Sequence, residues 1–290
     1  MFRVAGKSFG SNLKTVVVSG NVHVPFAMIT DLGGAGPSKV TIVSLPADVL
    51  LEIFIFYVEG AYHLEEKWIT LVHVCRGWRY IVFASPLRLN LQLCVRGKTH
   101  GREMLDIWPA LPIVIDPENR RWTRIPKITE NVIAALEHRD RVYRISLSHF
   151  PVPSRKLERF LDMMQYPFPA LTHLALWDWL DGDEEAAFIP DSFLGGSAPL
   201  LQSLELTRIA FPALPKLLLS ANHLVCIVLR GITHAGYISP EVMVSSLSSM
   251  TQLGYFGLEF NSPRSRPSQE SRGPPPKIRA LLPALTGFFS

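Results

Sequence analysis

The sequence predicts a fold of the α+β class, an α–β solenoid in which a helical hairpin precedes a series of strands and returning segments. Two observations carry this expectation. Residues 44–86 space their apolar side chains for two consecutive helices. Beyond them a Leu-x-x-Leu-x-Leu pattern recurs at Val142/Ile145/Leu147, Leu171/Leu174/Leu176, Leu201/Leu204/Leu206, Leu224/Ile227/Leu229, Leu253/Phe256/Leu258 and Leu285/Phe288. The first members of these triplets lie 29, 30, 23, 29 and 32 residues apart. One unit of that length cannot bury its apolar side alone, whereas stacked units share a core and line one concave surface.

In the hairpin, Pro46 fits the first helical turn, where its missing N–H removes no bond. Ser44 is the expected N-cap, and Asp48 complements the positive helix N-terminus. Val49, Leu50, Ile53, Phe54 and Tyr57 recur at helical spacing, while Leu51, Ile55, Phe56 and Val58 fill most of the remaining surface. A helix apolar nearly all round needs cover on more than one side, and in a short helix near a chain end the second cover can be another protein. The second helix is expected from about Trp68, with Leu71, Val74, Cys75, Trp78 and Val82 on one stripe and Arg76 and Arg79 opposite. Gly77 is where it should kink or divide. Residues 59–67 form the polar connection, and Pro86 follows the end.

Leu45-Pro46, then Glu52-Ile53-Phe54, then Leu71-Val72-His73-Val74-Cys75-Arg76-Gly77-Trp78-Arg79 stand in one order and spacing, which resembles the F-box. The continuation Phe83-Ala84-Ser85-Pro86, and later Ile107-Trp108-Pro109-Ala110-Leu111-Pro112-Ile113-Val114-Ile115, is similar to the F-box proteins with irregular leucine-rich repeats that abound in mushroom-forming (basidiomycete) fungi. The resemblance implies an N-terminal F-box helical hairpin at 43–90 after a leader at 1–42, followed by an irregular leucine-rich-repeat solenoid at 91–290. It implies a substrate-recruiting adaptor of an SCF-type (Skp–cullin–F-box) ubiquitin ligase, in the cytoplasm, the nucleus or both. Such an adaptor docks on a Skp-family linker, and through it on a cullin, while its repeats hold a target protein.

The residues assigned to the linker interface are Leu45, Pro46, Leu50, Ile53, Val74, Cys75 and Trp78, with Trp78 alternatively an internal wedge of the hairpin. No covalent chemistry is expected of the chain; the mechanism would be raised effective concentration of substrate near a charged ubiquitin-conjugating enzyme. Leu45→Ala with Pro46→Ala is expected to weaken linker binding by more than ~2 kcal/mol. The alternative is a repeat-based protein-interaction scaffold with no ubiquitin role, its hairpin a mere cap; a cap needs a polar outer face, which the first helix lacks.

Residues 1–40 carry Val16 to Val18, Val22 and Val24, then Gly33, Gly34, Gly36 and Pro37, and read as a poorly ordered leader with one strand at most. Gly6-Lys7-Ser8 has the ending of a phosphate-binding loop, but the upstream glycine is lacking because position 1 is Met. Leu87, Leu89, Leu91, Leu93 and Val95 alternate as a strand, residues 97–106 lead into a short helix, and Leu111 to Ile115 form a second strand. Residues 116–128 read as a surface loop, and Thr129 is expected to cap a helix running to Glu137. Leu157, Phe160, Leu161 and Met164 lie at helical spacing, as do Leu214, Leu217 and Leu218, and Val242, Met243, Ser246, Leu247 and Met250. Asparagines at the usual post-strand position are lacking, so the repeats are irregular. Residues 262–277, rich in Ser, Pro and Arg, read as a mobile insertion in which Ser262-Pro263 is either a kinase site or plain solvated loop. The last triplet has no helix or cap after it, which predicts a truncated chain, or an end that frays or pairs with something.

Composition narrows function. Hydrophobic content of 48% against 19% charged provides for a sizeable core. No apolar run reaches the roughly 18 residues that span a bilayer, so no membrane partner is expected. The net charge is +4, and Arg264, Arg266, Arg272 and Lys277 against Glu270 contribute +3 of it, leaving +1 elsewhere. A basic loop is not a basic face, which argues against nucleic acid. Cys75, Cys94 and Cys226 are far apart, form no zinc pattern, and read as buried thiols in a reducing compartment.

None of the nine histidines has metal-ligand spacing, no Gly-x-Ser-x-Gly elbow occurs, and neither metal nor cofactor is expected. Gly195-Gly196-Ser197 reads as a loop. Asp178, Asp181, Asp183, Glu184 and Glu185 lack the alternation and glycine of a calcium loop and read as solvated. The candidate target-binding residues are His173, Trp177, Trp179, Arg208 and Arg230. His173 lies within a repeat strand, the tryptophans follow that strand and either anchor a partner or plug the core, and the arginines follow the next two strands either as a basic strip or as plain solvated arginines.

Overall fold

The computed structural model describes residues 42, 45–59, 64–96, 101–117, 125–147, 154–178, 187–260 and 282–289. The chain divides into two compact units, Met1–Pro46 and Ala47–Ser290. In the first, Leu45 N–H donates to Ile42 O (3.4 Å). The expected leader, the cap at Ser44, the acidic residues 181–185, Trp179 and the insertion 262–277 lie outside the described residues.

The second unit opens with three helices: α1 (Ala47–Glu59), α2 (Leu64–Val72) and α3 (Arg76–Ala84). Strands and helices then alternate: β1 (Leu93–Val95), α4 (Gly101–Ile107), β2 (Ile113–Ile115), α5 (Ile125–Leu136), β3 (Val142–Ser146), α6 (Ser154–Met163), β4 (His173–Trp177), β5 (Ser203–Thr207), α7 (Leu214–Leu218), β6 (Cys226–Ile232), α8 (Pro240–Leu247), β7 (Tyr255–Phe260) and β8 (Gly287–Phe289). A 3-10 turn, Phe193–Gly196, carries the return from β4 to β5. The eight strands form one sheet in the order of the chain, and every neighbouring pair is parallel.

Register explains the core. Val95, Ile115, Ile145, Leu174, Leu204, Ile227, Phe256 and Phe288 pair in one row across the sheet. Two residues on, Leu176, Leu206, Leu229 and Leu258 make a second row. Side chains two apart share a face, so from Val95 to Phe256 both rows point the same way. Leu157, Phe160 and Leu161 of α6, and Leu214, Leu217 and Leu218 of α7, are buried with them. Helix α4 touches α5, α5 touches α6, and α7 touches α8, so the crossovers lie side by side. Crossovers of one constant hand, between strands laid down in one direction, put helices on one face of a sheet.

This architecture corrects the predicted fold class. The chain is not a helical hairpin followed by an irregular leucine-rich-repeat solenoid; from Ala47 it is one α/β unit, a single all-parallel sheet with alternating helices. Two physical reasons account for the difference. An apolar triplet at fixed period specifies a buried parallel strand, and that requirement is common to several architectures. The opening helices are, moreover, built into the sheet's own core: Trp68 of α2 is buried and its Nε1–H donates to Gln92 O (3.1 Å) beside β1. Its ring meets Phe83 and Trp108 at centroid distances of 6.1 and 5.3 Å.

Local boundaries shift as well. The expected second hairpin helix is two helices, and Gly77 lies inside α3 rather than at the break. The break falls at 73–75, where Val74 N–H donates to Leu71 O and Cys75 N-caps α3, its Sγ accepting from Trp78 N–H at 3.5 Å. Arg79 Nε–H donates to Val72 O (3.0 Å), satisfying a carbonyl at the end of α2. Helix α5 begins at Ile125, so Thr129 is a buried interior residue rather than a cap. The alternation from Leu87 becomes a strand only at Leu93, because Leu87–Asn90 form a turn with Asn90 at φ 46°.

Candidate functional site

Two surfaces stand out. The first is on the opening helices. Leu50, Leu51, Phe54 and Val58 turn into the core, and Phe54 packs against Trp78 with ring centroids 4.7 Å apart. The opposite stripe of α1 is also apolar: Val49 and Ile53 are each 42% exposed and Phe56 70%. Positions 49, 53 and 56 are spaced four and three residues apart, which sets them on one face. In the turn before α3, Val74 is 55% exposed.

The second surface is the sheet face opposite the core rows. The residues between the core positions pair across strands as Arg144, His173, Ser203, Cys226 and Tyr255. Toward β1 this row is closed by the buried Val114 and Cys94. A second row runs Ser146, Ala175, Glu205, Val228 and Gly257, and a third Trp177, Thr207 and Arg230. Arg144, His173, Ser203 and Cys226 are half-buried and Tyr255 is exposed. The Tyr255 ring lies over Gly287, where an added Cβ would come within 2.6 Å of it.

Hydrogen bonding orients His173. The Thr172 hydroxyl donates to Tyr143 O (3.0 Å) and lies 2.7 Å from His173 Nδ1. That contact fixes the imidazole by Nδ1 and leaves Nε2 as the ring nitrogen turned away from Thr172. Burial, then the Arg144 guanidinium, holds the His173 pKa below its ordinary value. Burial pushes the Cys226 thiol up, Glu205 adds to this, and a hydrogen bond with Ser203 and the charge of Arg230 oppose it. Cys226 is therefore a protonated thiol on the sheet face, not the core thiol expected of it.

Of the residues predicted for the linker interface, Ile53, Val74 and Pro46 are exposed, while Leu45, Cys75 and Trp78 are half-buried. Leu50 is 4% exposed and supports α1 from beneath, so it is corrected from a surface contact to a core residue. Trp78 packs on Phe54, as the internal-wedge alternative requires. Val49 and Phe56 were not singled out, although the spacing of α1 contained them.

Among the predicted target-binding residues, His173, Trp177 and Arg230 share the open face. Arg208 follows β5 with φ 59°, and its N–H donates to Arg230 O (2.8 Å). Trp179 lies outside the described residues. Asp178, expected in a solvated loop, is buried instead, and its Oδ2 accepts Ala187 N–H at 2.7 Å. Arg144, Glu205, Cys226 and Tyr255 were missed; the alternate positions of the strands were the signal available. No protein-family model, curated protein or solved structure matches the chain.

Proposed function

We propose that the chain is a non-catalytic adaptor: its opening helices dock on a Skp-family linker of an SCF-type ubiquitin ligase, and its sheet holds a target protein. Its working place on this reading is the cytoplasm, the nucleus or both. The observation that carries the reading is the outer stripe of α1, where Val49, Ile53 and Phe56 stay open although the other side of the helix is fully packed. Covering such side chains contributes about 25 cal/mol per Å² of apolar area removed from water. Leu45-Pro46 ahead of the helix, and Val74-Cys75 ahead of α3, stand at the positions of the F-box-like pattern.

The test is co-purification of the full chain with a Skp-family linker, beside Ile53→Asp and the Leu45→Ala/Pro46→Ala pair. Recovery of the wild-type complex and its loss in folded variants is the expected result. No complex from folded wild-type protein overturns the reading, leaving a protein-interaction scaffold without a ubiquitin role. Among the described residues no helix is long and apolar enough to cross a membrane.

A further inference from the structure

We propose that the open face of the sheet binds an extended acidic segment of the target protein, seating one carboxylate between Arg144 and His173. This rests on the reading that the sheet holds a target, and it adds the chemistry of that target.

Arg144 and His173 are direct cross-strand partners, which puts their side chains side by side on one face, their strands about 4.8 Å apart. Arg144 Nε is buried and has no hydrogen-bond partner among the described residues. Leaving a buried donor of a charged group unmatched is unfavourable by more than the usual worth of a hydrogen bond, so the position favours an acceptor. The guanidinium also makes no ion pair with a carboxylate of the described residues, and its charge is felt at His173. An arginine fork accepts a carboxylate on two parallel N–H groups.

His173 completes the seat. Thr172 holds its Nδ1, which leaves Nε2 to face the anion, and the protonated ring offers a donor there. The groups facing it are Tyr143 and Arg144 from β3 and Ser203 from β5, with Glu205 one row further along. From there the row continues through Ser203 and Cys226 to the exposed Tyr255, at about 4.8 Å per strand. A half-buried hydroxyl and thiol and an exposed phenol along that line suit the backbone and small side chains of an extended peptide. Arg230, exposed on the same face and likewise without an ion pair among the described residues, offers a second cation to an acidic chain.

The experiment uses the full chain and a labelled oligoglutamate peptide, with oligolysine as control, read by fluorescence polarisation. Oligoglutamate is expected to bind and oligolysine not. Arg144→Gln should weaken binding by about tenfold or more, and Arg144→Glu should exchange the preference for oligolysine. A bound carboxylate raises the proton affinity of His173 against the depression by burial and Arg144. Wild-type binding therefore tightens as pH falls from about 8 toward 6, and His173→Gln flattens that dependence.

Thermal melts of each variant separate loss of fold from loss of binding; the conservative Arg144→Lys keeps charge without the fork and should fall between wild type and Arg144→Gln. Absence of oligoglutamate binding by folded wild type, or binding indifferent to Arg144→Gln and Arg144→Glu, overturns the proposal. Linker co-purification from the same Arg144→Gln preparation stays intact either way, so failure here and failure of the adaptor reading are told apart.

Discussion

The outer stripe of α1 and the open face of the sheet are both surfaces beyond the core, yet they are built in opposite ways. The α1 stripe presents Val49, Ile53 and Phe56, which offer area and little direction. The sheet face presents Arg144, His173, Ser203 and Cys226, half-buried and held in register by the strands beneath. An apolar stripe rewards any partner that excludes water, whereas a fixed polar row rewards only a partner with matching groups in matching places. On the adaptor proposal, the difference is a division of labour in which one surface would meet a constant partner and the other would discriminate.

The two surfaces differ most sharply from the packing behind α1. Phe54 is fully buried, one position from exposed Ile53. Phe54→Ala is expected to destabilise the protein by about 3–5 kcal/mol, read from the urea unfolding midpoint. Val49→Asp with Ile53→Asp should instead leave stability within about 0.5 kcal/mol per substitution while weakening linker binding by more than ~2 kcal/mol. Equal loss of stability from both would show that the outer stripe is packing, not a docking face.

A smaller effect is expected where the sheet face ends. Asp178→Ala deprives the buried Ala187 N–H of its acceptor and should destabilise by about 1–3 kcal/mol, read from the urea unfolding midpoint. The smallest effects concern Arg208 and Gly231. They occupy equivalent places after paired residues Thr207 and Arg230, and both have φ 59°. Gly231→Ala should destabilise by about 1–2 kcal/mol, the strain of a left-handed non-glycine residue. Arg208→Gly relieves the same strain but loosens the unfolded chain, for a net gain of about 0.5–1 kcal/mol in thermal unfolding.

Strand positions were legible in the sequence because burial writes a period of two. The triplets containing Leu174, Leu204, Ile227 and Phe256 fall on strands whose register aligns those residues. The architecture assembled from them was not legible: apolar periodicity states which side of a strand is covered, not how its helices and neighbours are arranged. The opening helices show a second limit. The α1 pattern was readable as apolar all round, yet only packing decides that Leu50 faces inward and Ile53 outward. Arg144 was overlooked because an arginine in a strand reads as solvated, and only register places it beside His173.

The bond between Asp178 and Ala187 ties the two ends of residues 179–186 together at their base. Asp178 N–H donates to Thr207 O, Ala210 N–H to Ala187 O and Ile189 N–H to Ala210 O, so one end is pinned to the last residue of β5 and the other to the chain that follows it. Asp178 and Ala187 are thus a pair of anchors at a set separation, fixed by the strand and chain they bond to. A foreign peptide joined between those two anchors would begin and end at that set separation, with the sheet as the frame that displays it.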